Sequence, residues 1–221
     1  MAEDAGAALK ASLETVKKFD PQAAWRIRED ENRTDQYEDA VSTYLIRLSA
    51  EPLNQADSEE TTAMLKYIGD FERIADHAVD ILKSAEEMRD KEISFSPEAA
   101  REMDVLMRAV EEILTLTFRA FHENDAQVEP LEKVIDTLKE ELRTRHILRM
   151  TKGECSAEAG FVWSDLLTSL ERTADHCSNV AGCVMDIARH QLSLHDTLRR
   201  EKNGDGDFDA QYDAYAAEFS L

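Results

Sequence analysis

The stretch DFERIADHAVDIL, from Asp70 to Leu82, shares a six-residue pattern with SLERTADHCSNVA, from Ser169 to Ala181. Both stretches contain Glu-Arg-x-Ala-Asp-His, and 99 residues separate the two glutamates, Glu72 and Glu171. Apolar residues recur every three or four positions around each copy, which is typical of an amphipathic helix. The sequence therefore predicts a helical protein that contains an internal duplication.

A second pair of motifs repeats with almost the same offset. Glu31 and Asp35 form a Glu-x-x-x-Asp pattern, and so do Glu132 and Asp136, which lie 101 residues further along. The chain thus contains a helix followed by two Glu-x-x-x-Asp helices, and then the same order again. This order predicts an all-α fold of two tandem three-helix bundles with pseudo-twofold symmetry.

Helical periodicity covers nearly the whole chain, and prolines or a Gly153 C-cap mark several of the breaks. The predicted helices span residues 3–18, 22–50, 57–92, 97–124, 128–150 and 156–200. The predicted domains are a first bundle over 1–95, a second over 96–202 and an acidic tail over 203–221. We expect the tail either to be flexible or to dock through its aromatic residues, Phe208, Tyr212, Tyr215 and Phe219.

Composition excludes several classes of function. The formal net charge is -21, whereas nucleic acids and anionic membrane surfaces require clustered Lys and Arg. No nucleic-acid partner is expected. The three cysteines form no CxxC pair, which favours a reducing, cytoplasmic compartment. No apolar run is long enough to span a bilayer.

The acidic motifs lie where a helix normally turns its apolar side inward. Residues at i and i+4 share one helix face, so each motif places two carboxylates side by side. In the second predicted helix, Glu31 and Glu38 interrupt an apolar seam whose residues are spaced three or four positions apart. The seam consists of Ala24, Ile27, Glu31, Thr34, Glu38, Val41, Leu45 and Leu48. Carboxylates drawn toward a core need cations to offset their desolvation.

Two facing helices of this kind would form a cage of four carboxylates. Oxygen ligands suit hard cations, and the candidate cofactors are divalent or trivalent metal ions: iron, manganese, magnesium or zinc. The candidate metal ligands are Glu31, Asp35, Glu72 and Asp76 in the first repeat and Glu132, Asp136, Glu171 and Asp175 in the second. The alternative is a salt-bridge network made by the arginines within the motifs, Arg33, Arg73 and Arg172.

The two repeats differ in charge around these motifs. Glu38 and Asp80 of the first repeat correspond to Lys139 and Asn179 of the second. Each difference removes an oxygen anion, and Lys139 adds a competing cation. We therefore expect the first site to bind metal more tightly than the second.

Neither duplicated motif predicts catalysis. A ferritin-like di-iron oxidase needs a histidine three residues after the glutamate, where this chain has Ala75 and Ala174. His77 and His176 directly follow the aspartates and are expected to form interhelical hydrogen bonds rather than to bind metal directly. No Gly-rich phosphate loop and no GxSxG motif occurs, so we do not expect an enzyme.

These motifs resemble a known family. YIGDFERIADHAVDI and DLLTSLERTADHCSNVA are similar to the signature helices of the PhoU family of phosphate-uptake regulators, over roughly residues 3 to 200. REDENRTDQYEDAVSTYLIRLS and VEPLEKVIDTLKEELRTRHILRM resemble that family's second helix in each repeat. TYLIRLS and GECS more closely resemble the PhoU-like cytoplasmic domain of bacterial sodium/phosphate cotransporters.

The resemblance implies two three-helix bundles, carboxylate motifs that bind metal clusters, and negative regulation of phosphate transport through protein contacts. The implied partner is the membrane domain of a sodium/phosphate cotransporter or other phosphate-transport machinery, and a homodimer is possible. The first predicted helix is shorter than its counterpart, which agrees with a transporter domain upstream. The implied location is cytoplasmic, at the inner face of the membrane, through that tethered domain.

Overall fold

The computed structural model describes residues 1–123, 128–188 and 206–221, and these form seven helices and no strand. The helices, numbered in chain order, are α1 Ala2–Lys17, α2 Pro21–Leu48, α3 Gln55–Asp90, α4 Pro97–Glu123, α5 Glu129–Thr151, α6 Ala157–Ala188 and α7 Gly206–Glu218. The six predicted helices begin within two residues of the observed positions. Residues 189–200 of the sixth predicted helix lie outside the described residues.

Local sequence signals explain where several helices begin and end. The Asp20 side chain accepts a hydrogen bond from the Gln22 backbone N–H at 2.9 Å, and Pro21 opens α2. Ser96 caps α4 in the same way, through the Ala99 N–H at 3.2 Å. Gly153, with φ of 70°, follows α5 in the left-handed conformation that glycine adopts without strain.

The helices pack as two bundles joined along one seam. Helices α1, α2 and α3 contact one another, and so do α4, α5 and α6. The most extensive contact in the described chain is between α3 and α6, one helix from each bundle. A single apolar core runs through both bundles, with Ile74 from α3 and Leu170 from α6 fully buried. The predicted all-α fold of paired three-helix bundles is confirmed.

The tail contains a helix that the sequence pattern did not predict. Helix α7 packs against α5, where Phe219 is buried and Tyr212 and Tyr215 lie against the core. Of the two alternatives for the tail, the described residues therefore adopt the docked one. The domain boundaries at residues 95 and 202 stay predictions, and residue 202 lies outside the described part of the chain.

The outer part of α2 departs from the predicted apolar seam. Thr34 and Leu45 are buried as expected, but Val41 is 37% exposed. The main neighbours of α2 among the described helices are α1 and α3, and its exposed side carries Tyr37 and Tyr44. No helix among the described residues has the length and apolar character needed to cross a bilayer.

Candidate metal centre

The second repeat brings three predicted metal ligands together between α5 and α6. Glu132, Asp136 and Asp175 each offer one carboxylate oxygen, and these three oxygens lie within 4.8 Å of one another. We call this group the second cluster. Glu132 and Asp136 are one turn apart on α5, and Asp175 reaches them from α6. The doubled motif predicts four carboxylates here, and Glu171 is not one of the three that meet, so the predicted cage of four stays a prediction.

Glu132 is the most constrained member of the second cluster. It is 9% exposed, and its Oε2 atom is buried without a hydrogen-bond partner. Burial, followed by the charges of Asp136 and Asp175, raises the pKa of Glu132 to about 7. Burial and the neighbouring carboxylates raise the pKa of Asp175 as well. The protein thus holds anions together at an electrostatic cost that a bound cation would offset.

The fourth predicted ligand of the second repeat is held by a lysine. Lys139 Nζ lies 2.8 Å from Glu171 Oε1, and both side chains are largely shielded from solvent. Lys133 also approaches the cluster, at 3.5 Å from Asp136. Lys139 thus occupies a carboxylate that the sequence predicts as a ligand, and its competition with a metal stays a prediction.

The first repeat also gathers its carboxylates, between α2 and α3. Burial and the charge of Asp76 raise the pKa of Glu72 to about 7. Burial, then the charges of Asp76 and Asp35, raises the pKa of Glu31. We call Glu31, Asp35, Glu72 and Asp76 the first cluster. Among the described residues, only the second cluster places three carboxylate oxygens within 4.8 Å of one another.

The arginines within the motifs behave differently from one another. Arg73 lies over the first cluster, with Nη1 3.1 Å from Asp76 Oδ2 and Nε 3.4 Å from Glu72 Oε2. Arg33 instead turns away and binds Asp4 and Asp30. Of these two arginines only Arg73 contacts the first cluster, and because it is exposed its contribution is screened by solvent. The charge of Lys83 also acts on Glu31.

The two histidines of the duplicated pattern meet between the bundles. The rings of His77 and His176 stack with centroids 5.5 Å apart. His176 Nδ1 also lies 2.8 Å from Asp70 Oδ1, which joins α6 to α3. Asn179 Nδ2 donates to the same oxygen at 3.3 Å. The interhelical bond expected for His176 is thus present, and Asp70, which the motif analysis did not single out, is its partner. The bond expected for His77 is not seen among the described residues, because its buried Nδ1 has no hydrogen-bond partner.

The donor set fits a hard cation. Both clusters consist of carboxylate oxygens, and the buried Oε2 of Glu132 has no other protein partner. Asp35 and Asp175 are exposed, so each cluster opens to the surface. The fold and these clusters define the class of protein: a duplicated all-α protein with one acidic cluster between two helices of each bundle.

Comparison with known proteins identifies the family. The model of the PhoU domain matches residues 1–85 and 104–184, and the chain belongs to the PhoU family. The fold is similar to PhoU from Pseudomonas aeruginosa, with a TM-score of 0.74, 22% identity, and coverage of 86% of this chain and 90% of that one. PhoU from Streptococcus pneumoniae, a phosphate transport system regulatory protein, gives a TM-score of 0.69, 21% identity, and coverage of 87% and 89%.

Curated relatives support the same family. A phosphate-specific transport system accessory protein, PhoU homolog 1 of Thermotoga maritima, is 26% identical over 145 residues, which are 64% of this chain and 61% of that protein. A PhoU homolog of the same description from Xylella fastidiosa is 35% identical over 83 residues, which are 38% of this chain and 35% of that protein. The match thus spans less than two thirds of either relative.

The raised pKa of Glu132 predicts how stability depends on pH in protein treated with chelator. The folded state binds a proton with a pKa of about 7, compared with an ordinary value of 4.5. Glu132 therefore lowers the free energy of unfolding as pH rises from about 4.5 to 7. We expect Glu132→Gln to be more stable than the parent at pH 8 by about 1–3 kcal/mol, and equal to it near pH 4.

Urea denaturation at both pH values measures this difference. Glu140→Gln is the matched control, because Glu140 is exposed on the same helix. A difference between the parent and Glu132→Gln that does not change with pH would contradict the prediction.

Proposed function

We propose that the chain is a metal-binding regulatory domain that controls phosphate transport. Membership of the PhoU family supports the regulatory role, since the similar proteins above are described as accessory or regulatory proteins of phosphate transport systems. The observation that carries the metal proposal is the meeting of Glu132, Asp136 and Asp175, together with the unpartnered buried oxygen of Glu132.

A bound cation would neutralise the carboxylates and hold together the two helices that bear them. In the second cluster, Glu132 and Asp136 on α5 and Asp175 on α6 would be its ligands. In the first cluster, Glu31 and Asp35 on α2 and Glu72 and Asp76 on α3 would serve in the same way. We infer that the residues act by stiffening each bundle, and that the domain regulates through protein contacts rather than by catalysis.

For the partner we propose a sodium/phosphate cotransporter at the inner face of the membrane. The TYLIRLS and GECS stretches, at 43–49 and 153–156, support this choice because they resemble the PhoU-like domain of such transporters. The α2 stripe, which we define as Tyr37, Val41 and Tyr44, is a candidate contact surface. Its members are exposed and spaced four and three residues apart, so they form one apolar line on the helix.

A metal-free structural adaptor is the second candidate function. Two contacts favour it: Arg73 over Glu72 and Asp76, and Lys139 on Glu171. In that case protein cations alone would neutralise the clusters. Metal content and chelator sensitivity separate the two functions, because a metal that binds only the folded state raises the melting temperature.

Elemental analysis of protein purified without added metal tests the metal proposal. We expect bound metal in the parent and about tenfold less, corresponding to about 1.4 kcal/mol, in Glu72→Gln/Glu132→Gln. Chelator should lower the melting temperature of the parent only. The control is Glu60→Gln/Glu140→Gln, which changes exposed glutamates of α3 and α5. Near-zero metal in the parent, together with a melting temperature that chelator does not change, would favour the adaptor.

Lys139 offers a test of the difference between the clusters. Because its ammonium group binds Glu171, Lys139→Gln should free that carboxylate for the second cluster. We expect manganese affinity there to rise about tenfold, or about 1.4 kcal/mol, as measured by calorimetry. Lys10→Gln, at an exposed position of α1, should leave the affinity unchanged. Equal or weaker binding by Lys139→Gln would contradict the role of Lys139 as a competitor.

Phosphate uptake tests the regulatory role. In cells that carry a sodium/phosphate cotransporter and no other PhoU-family protein, expression of the chain should lower sodium-dependent uptake of labelled phosphate. Tyr37→Ser/Tyr44→Ser should abolish this effect, whereas Phe161→Ser, at an exposed position of α6, should retain it. Unchanged uptake with the parent would reject the cotransporter as partner. If the parent is a dimer and Tyr37→Ser/Tyr44→Ser is a monomer, the α2 stripe is instead a contact between two copies of this chain.

A further inference from the structure

A second polar site lies in the second bundle, away from the carboxylate clusters. It is a cavity of about 390 Å³ lined by the α3–α4 connection, the end of α5 and the beginnings of α4 and α6. Arg149 and His146 line it from α5, and Ser96 and Ser156 line it from the two helix beginnings. None of the predicted metal ligands is among its lining residues.

Arg149 is buried in this cavity with half of its guanidinium group unused. It is 9% exposed, and its Nη1 donates to Glu102 Oε2 at 2.6 Å. Its Nε and Nη2 atoms are buried and have no hydrogen-bond partner. The two oxygens of Glu102 bond to Arg149 Nη1 and to Arg145 Nη1, the latter at 3.1 Å, and neither accepts from Arg149 Nε or Nη2. Leaving buried donors of a charged group unsatisfied is costly.

The free atoms of Arg149 form a geometric match for an oxyanion. Nε and Nη2 lie on one edge of the planar guanidinium and can donate two parallel hydrogen bonds to two oxygens of a single anion. The guanidinium lies over the Trp163 ring, whose centroid is 5.1 Å from the Arg149 Cζ atom. His146, which is 6% exposed, stacks on the Trp163 ring, and the two ring centroids are 5.2 Å apart.

Two helix N-termini reach the same cavity. Ser96 and Ser156 cap α4 and α6 by accepting hydrogen bonds from the backbone N–H groups of Ala99 and Ala159. The N-terminus of a long helix carries a partial positive charge that favours anions. At α6 the Glu158 carboxylate already accepts from its own backbone N–H and from the Ser156 hydroxyl, and these bonds lower the pKa of its carboxyl. A ligand would therefore compete with Glu158 for the donors at this end.

The rim of the cavity carries mainly negative charge, which opposes the binding of an anion. Glu92, Glu154 and Glu158 line it and are exposed, and Lys91 is an exposed cation beside them. Solvent and salt screen exposed charges strongly, whereas a buried guanidinium is screened much less. The buried donors therefore decide which ligand the interior of the cavity accepts, and the rim glutamates reduce its affinity.

We propose that this cavity binds an oxyanion of the phosphate class, held by the free Nε–Nη2 edge of Arg149 between the N-termini of α4 and α6. The ligand is either inorganic phosphate or the phosphoryl group of a small monoester, since the cavity volume exceeds that of one phosphate ion. This site uses none of the carboxylates of the two clusters, so the result of testing it does not depend on whether the clusters bind metal.

Trp163 emission provides a local readout. In a Trp25→Phe background Trp163 is the one remaining tryptophan of the chain. Titration with inorganic phosphate up to about 10 mM, ten times a dissociation constant of about 1 mM, should change this emission with saturation and raise the melting temperature. Glycerol phosphate, titrated in parallel, distinguishes a monoester site from a site for the free ion by which of the two binds more tightly.

Two variants separate binding from folding. Arg149→Met/Glu102→Gln removes both charges of the buried pair, so neither is left alone, and should weaken phosphate binding at least tenfold, by about 1.4 kcal/mol or more. Arg145→Gln is the matched control: it also loses a bond to Glu102 but keeps Arg149, and should retain binding. Circular dichroism confirms that each variant is folded.

Three results would overturn the proposal. The first is a parent that shows neither an emission change nor a rise in melting temperature with either phosphate compound. The second is an equal response to chloride at the same ionic strength. The third is an unchanged phosphate affinity in folded Arg149→Met/Glu102→Gln.

Discussion

The packing of α3 against α6 is the contact on which both acidic clusters depend. These two helices carry the two copies of the duplicated pattern, and their contact is the most extensive between any described helices. The stacked rings of His77 and His176 and the bond from His176 to Asp70 lie in this seam. Asp76 and Asp175 directly precede the histidines, so each lies about 100° around its helix from a residue of the seam.

Holding carboxylates together in this way opposes folding unless a cation compensates. The pKa values of Glu72 and Glu132 are both raised to about 7, because burial and the neighbouring carboxylates disfavour the ionised form of each side chain. The two repeats relieve it differently. An exposed arginine, Arg73, covers part of the first cluster, whereas Lys139 removes Glu171 from the second. Duplication thus preserved the positions of the carboxylates while substitution around them changed how their charge is balanced.

Periodicity and spacing predicted most of the fold, because each helix combines an apolar face with recognisable caps or prolines. The same spacing places Glu132 and Asp136 side by side, since residues at i and i+4 share a face. It could not show that Asp175 of α6 would join them while Glu171 bonds to Lys139. Helix α7 was missed because its apolar and polar residues show little helical segregation. The partner of His176 was missed for another reason: Asp70 lies 106 positions away in the chain, and only the packing of α3 on α6 brings them together.

The Arg149 cavity could not be found from spacing, because its residues come from α4, α5, α6 and two connections. Its position explains how a chain of net charge -21 can offer an anion site at all. Asp136 and Arg149 stand 13 residues apart on α5, which corresponds to about 20 Å along a helix. At that separation two unit charges interact by about 0.8 kcal/mol at an effective dielectric constant of about 20, so the acidic cluster near the start of α5 opposes an anion at the guanidinium near its end only weakly. One pair of helices can therefore favour a cation at one end and an anion at the other.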